Sequence, residues 1–415
     1  MSAAIGWLRR HGFALFWSLA GLFLVLRTGG RDRGVIYDHL EFGRRLFAGA
    51  DLYAPYLEDK PLHPVYPPSF GLMTWPFTVF GEVGARYAWG LVQVLALFWI
   101  GRFLLDGLRR ARPGLAPRAQ WILLATALVM LRYVLRDTHG GGGNLINVAL
   151  ALAAFRLAED RRVLAGALVL GFSLATKPTT VLLVPVFFLL GHRRVAVGSL
   201  AATFGFVGLA LAVNRHGLDP LARWFEGSLA YGAQADLFAD PHLGFPPFTW
   251  MNQSLRCAVA RYFGHVPEPW VSEVPGFFQG AGLAPGVTVW ITRALSFAVL
   301  ALTLREAWRR RGSAPDRRVG LAVALVASLL LSPISWKAHH VALIPAMFAV
   351  VVAAFGGSRV ALGLAAGYWF VCGAGGGDLV GDAVKEWQQS LYLATLGNGI
   401  VLAWLLRRPH HSAPP

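Results

Sequence analysis

Apolar residues along this 415-residue chain fall into long runs separated by short polar breaks. The runs lie near 12–27, 84–106, 119–136, 144–158, 163–176, 178–191, 195–213, 286–304, 319–334, 340–355, 359–374 and 390–406. Each reaches, or nearly reaches, the roughly 20 residues that cross a hydrocarbon core as helix. The pattern predicts an all-α polytopic membrane protein with about twelve transmembrane helices, folded as one integral domain over residues 1–415. The first run follows Arg9 and Arg10 without a small-residue cleavage site, so it is expected to be an uncleaved span. The further run 69–80, SFGLMTWPFTVF, is expected to be a short re-entrant or interfacial helix. Counting it as a crossing would move most later arginine clusters to the outside. Leaving it out places Arg9/Arg10, Arg109/Arg110, Arg161/Arg162, Arg193/Arg194, Arg317/Arg318 and Arg407/Arg408 on one side. The positive-inside rule makes that side cytoplasmic, with both termini on it.

The stretch least like a span is Val35 to Pro76, within the outer connection 28–83. It predicts an amphipathic helix over 38–47, stopped by Gly49, with Leu40, Phe42, Leu46 and Phe47 roughly on one side. His39, Glu41, Arg44 and Arg45 fall mostly elsewhere. Such a helix suits a bilayer surface with its apolar side down. Tyr66-Pro67-Pro68 then forbids regular helix until Ser69. The second long outer connection, 214–285, carries Trp224, Phe225, Tyr231, Phe245, Trp250 and Trp270. These aromatics suit an interfacial belt, or the stacking of sugar rings.

Composition agrees with this class: 55% of residues are hydrophobic and 14% charged, where a soluble chain carries about a quarter charged. The formal charge of +16 does not call for nucleic acid, because the basic residues cluster in short connections between spans. Two cysteines, Cys257 and Cys372, give neither a disulfide framework nor metal-ligand spacing. No metal and no cofactor is expected. The Ala-, Arg- and Gly-rich composition leans toward a bacterial inner membrane.

The outer connections collect Asp38, His63, Tyr66, Arg136, Asp137, His139, Lys177, Asn252, Arg256, Lys337, His339 and His340. Ionisable groups beside hydrocarbon are costly and usually face a cavity or a partner. Their gathering on one face implies a shared outer site, with Lys177 and the histidine pair the hardest to explain as loop polarity. A transporter or lipid flippase would also gather charge, but typically near the midplane of inverted repeats.

Asp38 with Phe42, then G-A-D-L-Y (Gly49 to Tyr53) and Y-P-P (Tyr66 to Pro68), resembles the opening of glycosyltransferase family 87. G-G-G-N (Gly141 to Asn144), A-T-K-P (Ala175 to Pro178), N-Q-S-L (Asn252 to Leu255) and S-P-I-S-W with His339 and His340 follow in the family's order. Gly142 stands where the family pattern often has glutamine. The resemblance implies a GT-C fold and a polyprenol-phosphate-mannose-dependent mannosyltransferase, acting by inversion on a lipid or glycan acceptor at the periplasmic face. It makes Asp38 the candidate base that deprotonates the acceptor hydroxyl. Lys177, His339, His340, Arg136 and His139 are the candidate ligands of the donor phosphate, whose growing negative charge needs preplaced cations and donors. Tyr66, Asn144, Asn252 and Trp336 complete the set as candidate substrate contacts. For Asp38 the competing expectation is a plain N-cap of the helix 39–47. A catalytically inactive relative is the remaining alternative.

Overall fold

The computed structural model describes residues 2–32, 34–57, 60–61, 66–239 and 247–409; His63 lies outside them. Helices carry the fold, and a small hairpin pairs Pro55–Leu57 with Lys60–Pro61. Among the described residues, six helices are long and apolar enough to cross a membrane: His11–Gly29, Gly81–Ala111, Pro113–Gly140, Arg193–Asn214, Pro285–Arg309 and Lys337–Phe355. Two bent pairs, Val163–Thr176 with Pro178–Leu189 and Asp382–Ser390 with Leu393–Leu406, raise the number to eight if each is one span. The chain is therefore a polytopic membrane protein. Outward-facing residues support this: Phe204 and Phe297 are 75% and 72% exposed, which water would not favour for so many large apolar side chains.

About twelve crossings are not reached by length and composition. The runs 144–158 and 359–374 form helices of 16 residues (Asn144–Glu159) and fewer than 18 (Arg359–Gly373). Sixteen residues rise only about 24 Å, short of a hydrocarbon core of about 30 Å. Ala314–Leu331 is 18 residues long but opens with Asp316, Arg317 and Arg318. The runs 163–176 and 178–191 bend by 119° at Lys177. Run 69–80 becomes the nine-residue helix Phe70–Thr78, about 14 Å long.

The amphipathic helix begins earlier than its sequence pattern predicts, at Val35, and ends at Ala48 against Gly49 in the left-handed conformation. Its apolar side does not face lipid. Ile36, Leu40, Phe42 and Leu46 are buried within the protein, in a cluster with Leu52, Tyr53, Phe70, Trp89 and Ile146. Gly43 makes this possible, since a Cβ there would sit 2.7 Å from the backbone nitrogen of Trp75 in the crossing helix. Exposed Phe47 stacks on Trp75 at 4.0 Å. The helix is thus a wall of the protein rather than a float on the bilayer.

Two arginines at the far ends of the same helices are paired locally. Arg310 is fully buried, donating to Glu306 at 2.6 Å and to Asp316 at 3.4 Å, and to the carbonyls of Leu405 and Arg408. Glu159 accepts a two-pronged pair from Arg317 and a contact from His192. Removing one partner of a buried pair leaves an uncompensated charge, at about 3–5 kcal/mol. Arg310→Gln is expected to lower unfolding stability in detergent by that amount. Arg223→Gln breaks the half-exposed pair with Asp51 and is expected to cost no more than about 1 kcal/mol. Chemical denaturation of the two variants beside the parent checks the difference.

Candidate active site

The helices enclose one large cavity of about 1680 Å³. Eight of the ten candidate residues line it: Asp38, Tyr66, Arg136, His139, Asn144, Lys177, Trp336 and His339. They come from five separate stretches of chain. His340 and Asn252 do not line it.

Asp38 sits in the first turn of Val35–Ala48, whose N-cap is Gly34. It is not the N-cap, because the helix gains a turn through Val35, Ile36 and Tyr37. A carboxylate near a helix N-terminus is favoured by the helix dipole. The next residue, His39, turns inward and is completely buried. Its Nε2 shares a hydrogen bond with Tyr66 Oη at 3.1 Å, and its ring stands edge-on to Tyr66 and Phe70. Burial, and then the Lys177 cation, push the His39 imidazole down to about 3, so it is neutral at ordinary pH. Burial likewise holds the Tyr66 hydroxyl protonated, well above the usual tyrosine range. Tyr66 stacks on Phe70 at 4.1 Å, and its carbonyl accepts from Tyr53 Oη at 2.8 Å.

That last bond gives G-A-D-L-Y a purpose outside the cavity. Asp51 accepts from the Tyr53 N–H and from Arg223 of the helix Asp219–Ala233. Burial raises the Asp51 carboxyl, but the Tyr53 N–H and Arg223 outweigh it and hold it below its usual range. The motif anchors Tyr66 from behind.

The glycine run is more tightly held than a flexible turn. Helix Ala119–Gly140 ends there, and its last carbonyls have no partner within the helix. Side chains from other elements take them in turn: Gln93 bonds the carbonyl of Asp137, Thr28 that of Thr138, Arg31 that of His139, and Trp89 that of Gly141. Lys177 Nζ donates to the Gly142 carbonyl at 3.2 Å. It also lies 5.8 Å from the Tyr66 ring centre, within cation–π range. The buried Asp137 carboxylate accepts from Asn144 N, Asn144 Nδ2 and Leu145 N at 3.2, 2.6 and 2.8 Å. It thereby caps Asn144–Glu159 from the preceding helix. A Cβ on Gly142 would meet Asp137 Oδ1 at 2.4 Å, which explains why no side chain stands there.

Lys177 occupies the break between Val163–Thr176 and Pro178–Leu189. Asn147 ties the break together, donating to Thr179 Oγ1 and the Lys177 carbonyl while accepting from Ser173. Ser69 bonds the Ala175 carbonyl.

The two histidines part company. His339 Nδ1 accepts from the Trp336 N–H at 2.9 Å, so the ring proton of the neutral form is on Nε2. His340 is buried, stacked on Tyr133 at 5.0 Å, with Nδ1 3.1 Å from the Trp336 carbonyl. It packs the helix behind the wall. Asn252 is also consumed: its oxygen accepts from Ser335 N, and its amide donates to the carbonyls of Pro247 and Pro333. Gln253 N bonds the Ser335 carbonyl at 2.8 Å. N-Q-S-L and S-P-I-S-W therefore form one staple that presents Trp336, Lys337 and His339 to the cavity.

Seven formal cations line the cavity (Arg27, Arg31, Arg132, Arg136, Lys177, Lys337, Lys385) against three carboxylates (Asp38, Glu273, Glu386). The excess of four positive charges suits an anionic ligand. Among the described residues no group of three His, Cys, Asp and Glu could hold a metal ion. Sequence reasoning missed His39, Asn147 and Arg132, and gave Asp137 no role. Each lies inside a helical pattern that reads as ordinary amphipathicity, and only the packing shows its partner.

Gly142→Ala is expected to lower the unfolding midpoint, because the added methyl must displace a fully bonded carboxylate. Unfolding assays on the variant check this. For His39, the unfolded state takes up a proton below about pH 6.5 while the folded state resists until about 3. Stability should therefore fall as pH drops from 6.5 toward 3. His39→Gln should flatten that part of the stability–pH curve.

Residues 65–333 match the model of glycosyltransferase family 87, a range that begins after Asp38. A polyprenol-phosphate-mannose-dependent alpha-(1-2)-phosphatidylinositol pentamannoside mannosyltransferase of Mycolicibacterium smegmatis (strain ATCC 700084 / mc(2)155) is 30% identical over 333 residues. That alignment covers 78% of this chain and 68% of the relative. The protein of the same name from Mycobacterium tuberculosis (strain CDC 1551 / Oshkosh) is 30% identical over 301 residues, 71% of this chain and 60% of its own. No solved structure matches the chain. With more than half its length matched, and its cavity assembled from the motifs above, the chain belongs to glycosyltransferase family 87.

Proposed function

We propose that this protein is a membrane mannosyltransferase that takes mannose from a polyprenyl-phosphate donor and transfers it to a lipid or glycan acceptor. The observation that carries the reading is the cavity itself, where Asp38 shares one space with Lys177, His339 and a cationic lining. The names of the two relatives supply the donor and the sugar. The fold is of the GT-C type with about twelve crossings, the shorter and bent helices counting as spans. The cavity opens on the periplasmic side of a bacterial inner membrane, with both termini cytoplasmic; the arginine-rich connections at the opposite helix ends support that orientation.

In the reaction, Asp38 accepts the proton of the acceptor hydroxyl as its oxygen bonds to the anomeric carbon. The bond from that carbon to the phosphate oxygen breaks on the other face, with inversion, and its electron pair leaves with the polyprenyl phosphate. Lys177 and the Nε2–H of His339 meet that developing charge, which fixed donors stabilise best in a water-poor site. Tyr66, backed by His39, holds Lys177 over its ring. Trp336, Asn144, Arg136 and His139 border the sugar and phosphate. Asn252 and His340 act behind the wall, the first through its staple and the second through stacking.

Asp38→Asn is expected to lower kcat by about 10²–10⁴-fold while donor binding stays within about threefold. Lys177→Gln should instead weaken donor binding by about tenfold or more. Radiolabelled mannose transfer and donor-binding isotherms on purified protein separate the two. Unchanged transfer by Asp38→Asn would remove the base assignment.

A further inference from the structure

We infer that helix Asp219–Ala233 is a lid on the cavity, seated in the surface of the adjoining lipid leaflet and latched to the protein by Arg223 on Asp51. This concerns entry to the cavity and rests on the membrane class, not on the roles given to Asp38 and Lys177. An α-helix turns by about 100° per residue, which divides this one into three faces roughly a third of a turn apart. Trp224, Ser228 and Tyr231 form the first, and all three line the cavity. Leu218 at the N-cap, with Phe225 and Leu229, forms the second; they are 70%, 55% and 55% exposed. Asp219, Arg223 and Glu226 form the polar third. Such a helix fits where cavity, lipid and water meet. The chain itself points to lipid as the cover of the apolar face. Residues 215–218 alone separate the helix from the crossing Arg193–Asn214, whose exposed Phe204 and Leu209 already face outward. The helix therefore starts at the membrane boundary, where water would not favour three large apolar side chains on one stripe.

The helix is held lightly for a cavity wall. Only Pro220 and Tyr231 of its fifteen residues are buried, against six of fourteen in Val35–Ala48. Few buried contacts mark a segment that opens locally. Its hinge is fixed: Asn214 Nδ2 and His216 Nε2 donate to the carbonyls of Ala50 and Gly49, each at 2.9 Å. Arg215 and Gly217 make the turn there with left-handed backbones. Two arginines serve as catches. Arg256 Nη1 donates to the Tyr231 carbonyl at 2.8 Å and its guanidinium lies 4.5 Å from the Tyr231 ring centre. Arg223 Nη1 donates to both Asp51 carboxylate oxygens at 2.9 Å. Arg223 and Asp51 are 40% and 43% exposed, so this catch is weak. Asp51 also accepts from the Tyr53 N–H, and Tyr53 Oη donates to the Tyr66 carbonyl. The latch thus joins the lid to the ring that lies against Lys177.

Labelling of the full chain in lipid nanodiscs tests both parts. Cys257 and Cys372 are buried, so an introduced surface cysteine takes the label. For the seat, nitroxides on Phe225→Cys and Leu229→Cys should collide with oxygen more than with a water-soluble nickel chelate, and on Glu226→Cys the reverse. Equal nickel collision at all three positions puts the apolar face in water. Collision with neither reagent at 225 and 229 gives that face a protein cover, such as a second copy. Either result overturns the lipid seat. For the lid, the rate at which Ser228→Cys reacts with a water-soluble maleimide should rise about threefold to fivefold in Arg223→Gln, the shift an exposed ion pair can supply. It should return to the parent rate in Arg223→Lys. A rate unchanged in Arg223→Gln, or raised equally in Arg223→Lys, overturns the latch. None of these measurements uses sugar transfer, so their failure leaves the mannosyltransferase reading intact.

Discussion

A single buried carboxylate holds the site in shape. Asp137 closes one helix and opens the next, accepting three hydrogen bonds from Asn144 and Leu145. A charge with no water around it is tolerable only when bonded and countered. The bonds come from the N-terminus of Asn144–Glu159, and the counter-charge from Lys177, which senses Asp137 across the glycine run. Lys177 also donates to the Gly142 carbonyl, so the cation, the loop and the helix end are joined by one set of bonds. Glycine at 142 follows from this, as a side chain would occupy the space of the carboxylate.

Around that anchor the protein treats its two ends differently. At the ends remote from the cavity, the buried Arg310 lies between Glu306 and Asp316, and Arg317 pairs with Glu159. Along the cavity, cations outnumber carboxylates by seven to three. The lining as a whole therefore keeps an excess of cations over carboxylates. That excess suits the anionic donor proposed for the cavity.

Much of this was legible in the sequence. Apolar runs report burial in lipid directly, so the membrane class followed from them. The gathering of Asp38, Lys177 and His339 was readable because charge beside hydrocarbon is rare enough to need a reason. Periodicity was less informative about what covers an apolar face. Leu40 and Leu46 read equally well as lipid-facing or protein-facing, and only the close crossing at Gly43 decides for protein. Span number is less legible, because Lys177 bends two apolar runs and Asp316, Arg317 and Arg318 open another. Asn252 and His340 drew attention as polar residues in motifs, but such residues are equally useful as staples. Sequence does not say which way a side chain turns.

The same argument explains why the motifs resemble a site list while serving largely as scaffold. Asp51 and Tyr53 hold Tyr66; Asn252 and Gln253 hold Ser335; Asn147 holds the break at Lys177. In each case a polar side chain satisfies backbone groups that a non-helical segment leaves exposed near lipid, where an unmade hydrogen bond is costly. Irregular backbone is what lets Lys177, Trp336 and His339 reach the cavity, since a continuous helix would carry them past it. The bonds that stabilise the irregular segments are therefore also the ones that aim these side chains into the cavity, and a polar motif in such a protein marks the neighbourhood of a cavity more reliably than the contacts made there.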